Sequence, residues 1–488
     1  MNARVGPGEF VNRTDELSWL VDGCNGRPQF RILYGRRRVG KSALLDEFVR
    51  GRRAVVYQAV EGTTQDHLRD VTAELAAFTG DPVLQAGALP NWQAVLAYVA
   101  GLAANQPFVF VIDEYQYAAE ADDTLASVVQ RWWSREVENK GIPLYFVICG
   151  SYVRFFERKV LNGPMYGRNT GIWRLTPLRC ADAALLFPKW SAEDQVRAYA
   201  VLGGIPYYLR QFDPDQSLAW NIANHILRRG AALYQEAELV MREELRDHGV
   251  YFSILRAIED GCTTHGEIVN RVRPPDDRQS LSVYLITLQG LGFVEATRSI
   301  IGTSRQTWRI TDPYIRFWFK YVHPNQRRLD RARDHALSYD ELVAPTLDHF
   351  VSQPTFEEIC REWVFDQAEK GRWGRPIDNV GAWWGKIPKP SPAARHETVD
   401  REIEVIGIKG KSIVVAGEAK WTNAPVDIGV LNGLRRTLAH VPGADENTQI
   451  VLFGRSFDPR LHAQAAAEGV TLVGPGELVA VRGSVSSP

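Results

Sequence analysis

The chain has 488 residues, of which 45% are hydrophobic and 24% charged, as in ordinary globular proteins, and this length predicts about three domains. With 57 basic and 58 acidic residues, a general electrostatic attraction to nucleic acid is excluded, so any basic surface must be local. The five cysteines are scattered and form no C-x-x-C pair, which predicts neither a disulfide framework nor a zinc site. The sequence has no signal-peptide pattern and no apolar run of about 18 residues, so we predict a cytoplasmic protein without a membrane segment.

The first strong signal is a glycine loop between an apolar strand pattern at Arg31–Tyr34 and a helical pattern that begins near Leu44. Strand, glycine loop and helix in this order predict a P-loop, because the glycines let backbone N–H groups turn towards phosphates. Lys41 would neutralise the outer phosphates and the Ser42 hydroxyl would bind Mg²⁺. The predicted nucleotide-binding residues are Gly35, Arg36, Arg37, Arg38, Val39, Gly40, Lys41 and Ser42.

Further apolar runs predict strands of the same sheet at Arg53–Ala59, Phe108–Asp113 and Leu144–Cys149. Short continuous apolar runs separated by helical stretches are typical of parallel strands that are buried on both faces. The N-terminal part is therefore predicted to be an α/β domain with a parallel sheet and crossover helices.

Two carboxylates end the strand pattern that starts at Phe108. Asp113 is the candidate metal ligand beside Ser42, because magnesium prefers oxygen ligands and keeps most of its waters. Glu114 is the candidate that orients or deprotonates the water attacking the γ-phosphate. Hydrolysis, and not binding alone, is the activity that this pair predicts.

Two later residues extend the candidate site. Ser151 follows the strand pattern Leu144–Cys149, where a polar side chain could contact the γ-phosphate or the attacking water. Arg168 lies in a loop beyond that strand and could serve as an arginine finger that neutralises charge in the transition state. On spacing alone, Arg168 fits an ordinary surface arginine better.

After Thr176 the pattern becomes helical and is broken by the glycine-proline run at Gly203–Pro206, which predicts a helical lid. We place the end of this P-loop ATPase domain at residue 246. Residues 247–325 form a pattern of three helices and a strand pair, which predicts a winged helix-turn-helix.

Six arginines around the third helix and wing of this middle unit could contact DNA phosphates: Arg271, Arg273, Arg278, Arg298, Arg305 and Arg309. The third helix itself, at Gln279–Leu288, carries few long side chains that could read bases. A role as an interdomain or protein-protein module is therefore open beside DNA binding.

A charged linker over residues 326–345 leads to a third unit, residues 346–488. There the strand pattern Ser412–Trp421 projects Glu418 and Lys420 to the same face, since side chains alternate along a strand. A carboxylate beside an ammonium can bind a divalent metal and stabilise an attacking hydroxide.

Two upstream acids add to this pair, namely Glu404 on a strand pattern and Glu357 on a helical pattern. Further candidate strands of this unit are Arg401–Ile408 and Gln449–Phe453.

Several short motifs are spread over nearly the whole chain: Phe10-Val11-Asn12-Arg13, Glu16-Leu17, Gly35–Ser42, Ile112-Asp113-Glu114-Tyr115-Gln116, Gly150-Ser151, Tyr166-Gly167-Arg168, Gly203-Gly204-Ile205-Pro206 and Asp312-Pro313-Tyr314-Ile315-Arg316-Phe317-Trp318. Together they resemble the archaeal-type ATPases of the STAND and AAA-related P-loop group. The resemblance implies a magnesium-ATP site with Ser151 as sensor. It also implies that Arg168 acts as a finger on its own nucleotide or on that of a neighbouring subunit, and the second case requires a homo-oligomer.

The order helix acid, strand acid and Glu-x-Lys resembles the PD-(D/E)xK nuclease superfamily. This resemblance implies Glu357, Glu404 and Glu418 as metal ligands, with Glu418 and Lys420 as catalytic residues. Members usually carry Asp where this chain has Glu404, and the extra methylene moves the carboxylate outward although magnesium demands near-ideal geometry. An active nuclease and an inactive scaffold or nucleic-acid-binding domain are both open.

The predicted architecture is thus a P-loop NTPase sheet with a helical lid, a winged helix-turn-helix and a restriction-endonuclease-like α/β domain. The predicted function is an ATPase with Mg²⁺ that acts as an ATP-gated switch on DNA. The alternative is a regulatory ATPase whose nucleotide state controls protein partners while the C-terminal domain is catalytically inactive.

Overall fold

The computed structural model describes residues 12–165, 167–245, 248–272, 281–302, 305–389 and 397–480. They fall into two compact units. The first extends to Pro177 and includes Ile205–Tyr207, whereas the second comprises Leu178–Gly204 and the chain from Tyr208 onwards. The helices predicted to form a lid therefore group with the C-terminal part of the chain. Among the described residues, no helix is long and apolar enough to cross a membrane.

The first unit is built on five parallel strands in the order β2-β3-β4-β1-β5. They are β1 Gln29–Tyr34, β2 Ala54–Gln58, β3 Phe108–Asp113, β4 Leu144–Gly150 and β5 Gly171–Arg174. Every residue of β3 and β4 is buried, as expected for apolar strands covered on both faces. The predicted parallel α/β sheet is confirmed. The short edge strand β5 was not predicted, because its half-exposed residues form no apolar run.

The helices of this unit lie before and between the strands along the chain, and two of them end in a π-helical turn. Their bounds are Thr14–Asp22, Lys41–Val49, Thr64–Thr79, Pro82–Ala86, Trp92–Asn105, Tyr115–Ala121, Leu125–Trp132 with Trp133–Glu138, and Val153–Phe155 with Phe156–Val160.

The second unit begins with a helical region, followed by three helices and a two-stranded hairpin. The hairpin strands are β6 Val294–Thr297 and β7 Thr307–Ile310. The helices are Cys180–Ala184, Ala192–Leu202, Pro206–Leu209 (whose first two residues belong to the first unit), Leu218–Asn221, Ile222–Leu227, Glu236–Glu244, His248–Glu259, His265–Val272 and Leu281–Gly290. Residues 273–280, with Arg273 and Arg278, lie outside the described residues.

The region expected to be a linker contains helices at Gln326–Leu329 and His335–Leu342. Leu329 and Val343 are fully buried, so this region packs into the unit instead of connecting two domains loosely. The region was predicted to be a linker because it has many charged residues and only a few apolar residues anchor it. The other connecting helices are Pro313–Phe317, Trp318–Val322, His323–Asn325, Leu347–Val351 and Ser352–Phe356.

A second five-stranded sheet completes the unit, in the order β12-β11-β10-β9-β8. Its strands are β8 Asn379–Pro388, β9 Thr398–Lys409, β10 Ser412–Lys420, β11 Gln449–Gly454 and β12 Thr471–Val473. The pairs β8/β9 and β9/β10 are antiparallel, and β10/β11 and β11/β12 are parallel. Its helices are Glu357–Glu369, Ile428–Leu438, Pro459–Glu468 and Pro475–Leu478.

The hairpin loop contacts the outermost strand of this sheet. Ile300 donates its N–H to the carbonyl of Ala382 in β8 at 2.8 Å, and Trp384 donates its N–H to Ser299 Oγ at 3.4 Å. Ile300 also packs against the sheet's hydrophobic core. Ser299 and Ile300 of the hairpin loop therefore support the neighbouring sheet.

The second unit contains a buried ion pair whose carboxylate is expected to titrate near neutral pH. The side chains of Glu259 and Arg316 are 12% and 9% exposed, with 3.7 Å between Arg316 Nε and Glu259 Oε2. Burial raises the pKa of Glu259 to about 7, although Arg316 opposes the shift. Desolvation thus outweighs the attraction within the pair, as the lowered pKa of Arg316, about 10, also indicates.

Because the folded-state pKa of Glu259 is raised, the unfolded chain loses this proton first as pH increases. We expect the free energy of unfolding to fall between about pH 4.5 and pH 7. Glu259→Gln should reduce that fall by on the order of 2 kcal/mol, as measured by urea unfolding across this range. The exposed Glu446→Gln should leave it unchanged. An equal pH dependence in Glu259→Gln and the wild type would contradict this expectation.

Candidate functional site

The glycine loop connects β1 to the helix Lys41–Val49. Gly40 has φ 98° and Arg38 has φ 67°, both in the left-handed region, and these conformations turn the loop around the start of the helix. Lys41 Nζ donates to the carbonyls of Gly35 at 2.9 Å and Arg36 at 3.0 Å, which holds the ammonium inside the loop. A helix N-terminus behind such a loop favours phosphate.

Ser42 and Asp113 meet beside this loop, although 71 residues separate them. Ser42 Oγ donates to Asp113 Oδ2 at 2.8 Å, and the backbone N–H of Glu114 donates to Asp113 Oδ1 at 2.9 Å. Asp113 is 3% exposed. One hydroxyl and one oriented carboxylate are the protein ligands that magnesium takes when phosphates and water supply the rest. The residues therefore fit the predicted metal.

Glu114 has φ 50°, a conformation that non-glycine residues rarely adopt and that is typical of functional sites. Its carboxylate accepts hydrogen bonds from Ser151 N at 3.1 Å, Ser151 Oγ at 2.7 Å and Gln116 Nε2. The two predicted residues, Glu114 and Ser151, are thus in direct contact. Gln116 was not predicted as a site residue. Its position two residues after Glu114 could have indicated it.

The arginines of the loop have specific partners within the first unit. Arg37 donates to Tyr117 Oη at 2.9 Å, and the guanidinium of Arg38 lies 4.5 Å from the ring centroid of Tyr207. Arg168 is exposed in a turn, where its N–H donates to the carbonyl of Met165 at 3.1 Å. Its finger role stays a prediction. Phe10, Val11 and Tyr166 of the motifs lie outside the described residues.

In the second unit the Glu-x-Lys pair of β10 meets the predicted strand acid of β9. Lys420 Nζ lies 2.6 Å from Glu404 Oε1 and 2.7 Å from Glu418 Oε2. Burial raises the pKa of Glu418, and the neighbouring Glu404 adds to the shift. Burial lowers the pKa of Lys420, but both carboxylates outweigh it and raise that pKa. The structure therefore brings these three residues together.

Glu357 is the helix acid, and Arg361 links it to the strand acid. Arg361 donates through NH2 to Glu357 Oε2 at 2.8 Å and through Nε to the carbonyl of Glu404 at 2.8 Å, and it also contacts Glu358. Burial raises the pKa of Glu357 to about 7, against the opposing effect of Arg361. The sequence reasoning missed Arg361, although its place four residues after Glu357 on a helix was a usable signal.

These carboxylates are not arranged as a ligand set. Within the described ranges, no group of three or more His, Cys, Asp or Glu side chains is placed to hold a metal ion. The Lys420 ammonium pairs with both Glu404 and Glu418, and Arg361 pairs with Glu357, so cations of the protein already occupy these carboxylates. The geometry thus differs from the predicted metal site of these three acids.

The strand end after Lys420 is held by a polar and aromatic cluster. Trp421 donates through Nε1 to Asp348 Oδ1 at 3.0 Å, and Asp348 accepts from Arg197 Nε at 2.8 Å. The guanidinium carbons of Arg197 and Arg455 lie 5.6 and 5.4 Å from the ring centroid of Trp421. Arg197 belongs to the helix Ala192–Leu202, so this cluster joins that helix to the Glu-x-Lys strand.

Three of the arginines predicted to contact DNA phosphates have partners within the protein. Arg309 contacts Glu295 and Glu358, so its predicted contact with DNA phosphates stays a prediction. Arg271 NH2 lies 3.4 Å from Asp260 Oδ2, and Arg298 donates to Gln306. The sequence did not indicate the pairing of Arg309 with Glu358, because the two residues are 49 positions apart.

Two sequence families match parts of the chain. Residues 10–212 match the family described as "ATPase domain predominantly from Archaea", which confirms the predicted archaeal-type ATPase domain in this part of the chain. Residues 318–430 match the family described as "Archaea bacterial proteins of unknown function". An uncharacterized protein of Methanocaldococcus jannaschii is 27% identical over 413 residues, which cover 83% of this chain and 88% of the relative.

Two solved structures are similar to this chain at low sequence identity. The Walker-type ATPase PABY2304 of Pyrococcus abyssi has a TM-score of 0.47 and 18% identity, covering 65% of this chain and 98% of that one. The ORC2 protein of Aeropyrum pernix, in ADPNP and ADP complexes, has a TM-score of 0.34 and 15% identity, covering 64% and 92%. The family match over residues 10–212 concerns the ATPase domain alone.

Proposed function

We propose that this chain, which carries an ATPase domain of the archaeal family, hydrolyses magnesium-ATP at the loop Gly35–Ser42 and uses its nucleotide cycle to control a nuclease-like site that acts on DNA. The single observation that supports the first half is the 2.8 Å hydrogen bond between Ser42 and Asp113, since it joins loop and strand where a metal would be bound. Magnesium, when bound, would neutralise charge that develops on the phosphates.

The residue roles follow from these contacts. Lys41, at the loop, attracts the outer phosphates, and Ser42 with Asp113 orients the metal. Glu114 accepts the proton of the attacking water, and Ser151 keeps the Glu114 carboxylate in a defined orientation. Arg168 supplies positive charge to the transition state, within the chain or from a second copy of it.

The proposed control of the C-terminal site rests on chain continuity. The helix Ala192–Leu202 contributes Arg197 to the Trp421 cluster, and Trp421 directly follows Lys420. After this helix ends, the chain continues through Gly203 and Gly204 into Ile205–Tyr207, which belongs to the compact unit of the P-loop. A change in the position of this helix would therefore reach Lys420, Glu404 and Glu418. In this proposal Lys420 and Arg361 release the carboxylates when the site becomes active.

A second candidate function is favoured by one observation. Lys420 and Arg361 engage the carboxylates that a nuclease would need for metal, and Glu404 is longer than the usual aspartate. These contacts suit a regulatory ATPase whose C-terminal domain is inactive and whose nucleotide state controls protein partners.

The test measures ATP turnover and DNA cleavage by the full chain with Mg²⁺ or Mn²⁺. We expect Lys41→Ala to abolish ATP turnover and Glu418→Ala to abolish cleavage while ATP turnover remains. Cleavage that survives in Glu418→Ala would remove the nuclease assignment. ATP turnover without any cleavage by the wild type would favour the regulatory ATPase, and unchanged turnover in Lys41→Ala would refute the nucleotide mechanism.

A further inference from the structure

The near-neutral chain contains a local concentration of arginine in the second unit. The segment Arg327–Arg333 has four arginines and one aspartate in seven residues, and Arg228 and Arg229 form a pair that ends the helical turn Ile222–Leu227. All six arginine side chains are exposed. We define Arg228, Arg229, Arg327, Arg331 and Arg333 as the arginine patch.

The two segments are held side by side by a buried aromatic cluster. Tyr234, which follows the Arg228–Arg229 turn, donates through its hydroxyl to Asp330 Oδ1 at 2.9 Å. Trp318 donates through Nε1 to the carbonyl of Tyr234 at 2.8 Å. Arg229 Nε itself lies 3.8 Å from Asp330 Oδ1. Because Tyr234 and Trp318 are buried, these hydrogen bonds fix the two arginine segments next to each other.

The acids near the patch are already engaged. Asp330 accepts from Tyr234 and lies near Arg229, and Asp334 accepts from the N–H of Leu337 at 3.0 Å as the cap of a helix. Glu341 is paired with Arg328, which we therefore leave out of the patch. Within the described residues, no ion-pair partner contacts Arg228, Arg327, Arg331 or Arg333. Their charges are available to an external anion.

We infer that the arginine patch binds the phosphate backbone of a nucleic acid, duplex DNA in the first instance. The inference rests on the proposed DNA role, and it moves the contact surface away from the hairpin, whose Arg309 is engaged in ion pairs and whose Ile300 packs on β8. A patch made only of arginine suits phosphate, which the planar guanidinium can bind through two parallel hydrogen bonds.

The test compares two variants of the full chain by fluorescence anisotropy with a short DNA duplex over a range of salt concentrations. The patch variant carries Arg228→Gln, Arg327→Gln, Arg331→Gln and Arg333→Gln. The control variant removes the same charge from exposed arginines of the first unit through Arg50→Gln, Arg69→Gln, Arg131→Gln and Arg135→Gln. Circular dichroism and ATP turnover should be unchanged in both, because none of these residues belongs to the nucleotide site.

In the patch variant we expect the affinity for DNA to fall by at least about tenfold. The plot of log K against log salt should become less steep by about 3 to 4, since each phosphate contact contributes about 0.9 to the magnitude of the slope. The control variant should match the wild type. If the patch variant binds like the wild type, the inference is wrong while the proposed DNA role stands. If the wild type binds neither DNA nor RNA, the DNA role fails and takes the inference with it.

Two further arms identify the anion. Stronger binding of RNA than of duplex DNA, lost in the patch variant, would support the phosphate contact and change only the nucleic acid. Polyglutamate that competes with DNA at equal charge concentration would show that the patch binds any polyanion, including an acidic protein, and would overturn the assignment to nucleic acid.

Discussion

Replacing Glu114 by glutamine is expected to lower kcat for ATP hydrolysis by about 10²- to 10⁴-fold, the contribution of a well-placed general base. Glutamine keeps the size of the side chain and can still contact Ser151, but it cannot accept a proton. The affinity for ATP should remain close to that of the wild type, because Lys41 and Ser42 are unchanged. Single-turnover hydrolysis and equilibrium titration with a fluorescent ATP analogue measure the two quantities separately.

Glu120 offers a matched control, since it lies exposed on the helix that follows Glu114. Glu120→Gln should retain full activity. If Glu114→Gln hydrolysed ATP at the wild-type rate, Glu114 would be a residue that only orients Ser151 and Gln116, and the attacking water would need another base.

Arg361→Ala is expected to have the largest effect on stability, with a loss of about 3–5 kcal/mol in the free energy of unfolding. The Arg361 side chain is 10% exposed and contacts Glu357, Glu358 and the carbonyl of Glu404, so its removal leaves buried groups without their donor. Urea unfolding followed by tryptophan fluorescence measures the loss. Because the pKa of Glu357 is raised to about 7, protonation should reduce the loss at lower pH.

Two further variants distinguish the loss of charge from the loss of packing in Arg361→Ala. Arg375→Ala removes an arginine that is 39% exposed and 3.8 Å from Asp445, and should cost less than about 1 kcal/mol. Adding Glu357→Gln to Arg361→Ala should recover part of the stability, since it removes the unpaired buried charge. A double variant as unstable as Arg361→Ala alone would show that packing of the guanidinium, and not its charge, stabilises this helix.

The nucleotide-binding site could be predicted from the sequence because its sequence signals are local. A P-loop is a continuous segment, and the apolar run of β3 ends directly at Asp113 and Glu114. The parallel pairing of β1 and β4 follows from burial on both faces. The contact between Glu114 and Ser151, in contrast, depends on how two strand ends meet, and the sequence suggested only that both lie at the same sheet edge.

The second unit was harder to predict, because charged partners there lie far apart in sequence. Arg309 and Glu358 are 49 residues apart, and Arg361 reaches the carbonyl of Glu404 across 43 residues. The strand β8 was missed, since its mixture of Gly, Trp and Lys has no clear alternation. The alternation of side chains along a strand predicted that Lys420 and Glu418 lie on the same face. It did not predict the pairing of Lys420 with Glu404.

The contact between the hairpin loop and β8 has a consequence for solubility. A sheet edge with open N–H and C=O groups is a template on which a second chain can add a strand, and natural proteins cover or interrupt such edges. The hydrogen bond from Ile300 to Ala382 and the packing of Ile300 against Gly381 shield part of β8 in this way. A chain shortened by the loop at residues 299–302 would therefore expose this strand and tend to aggregate.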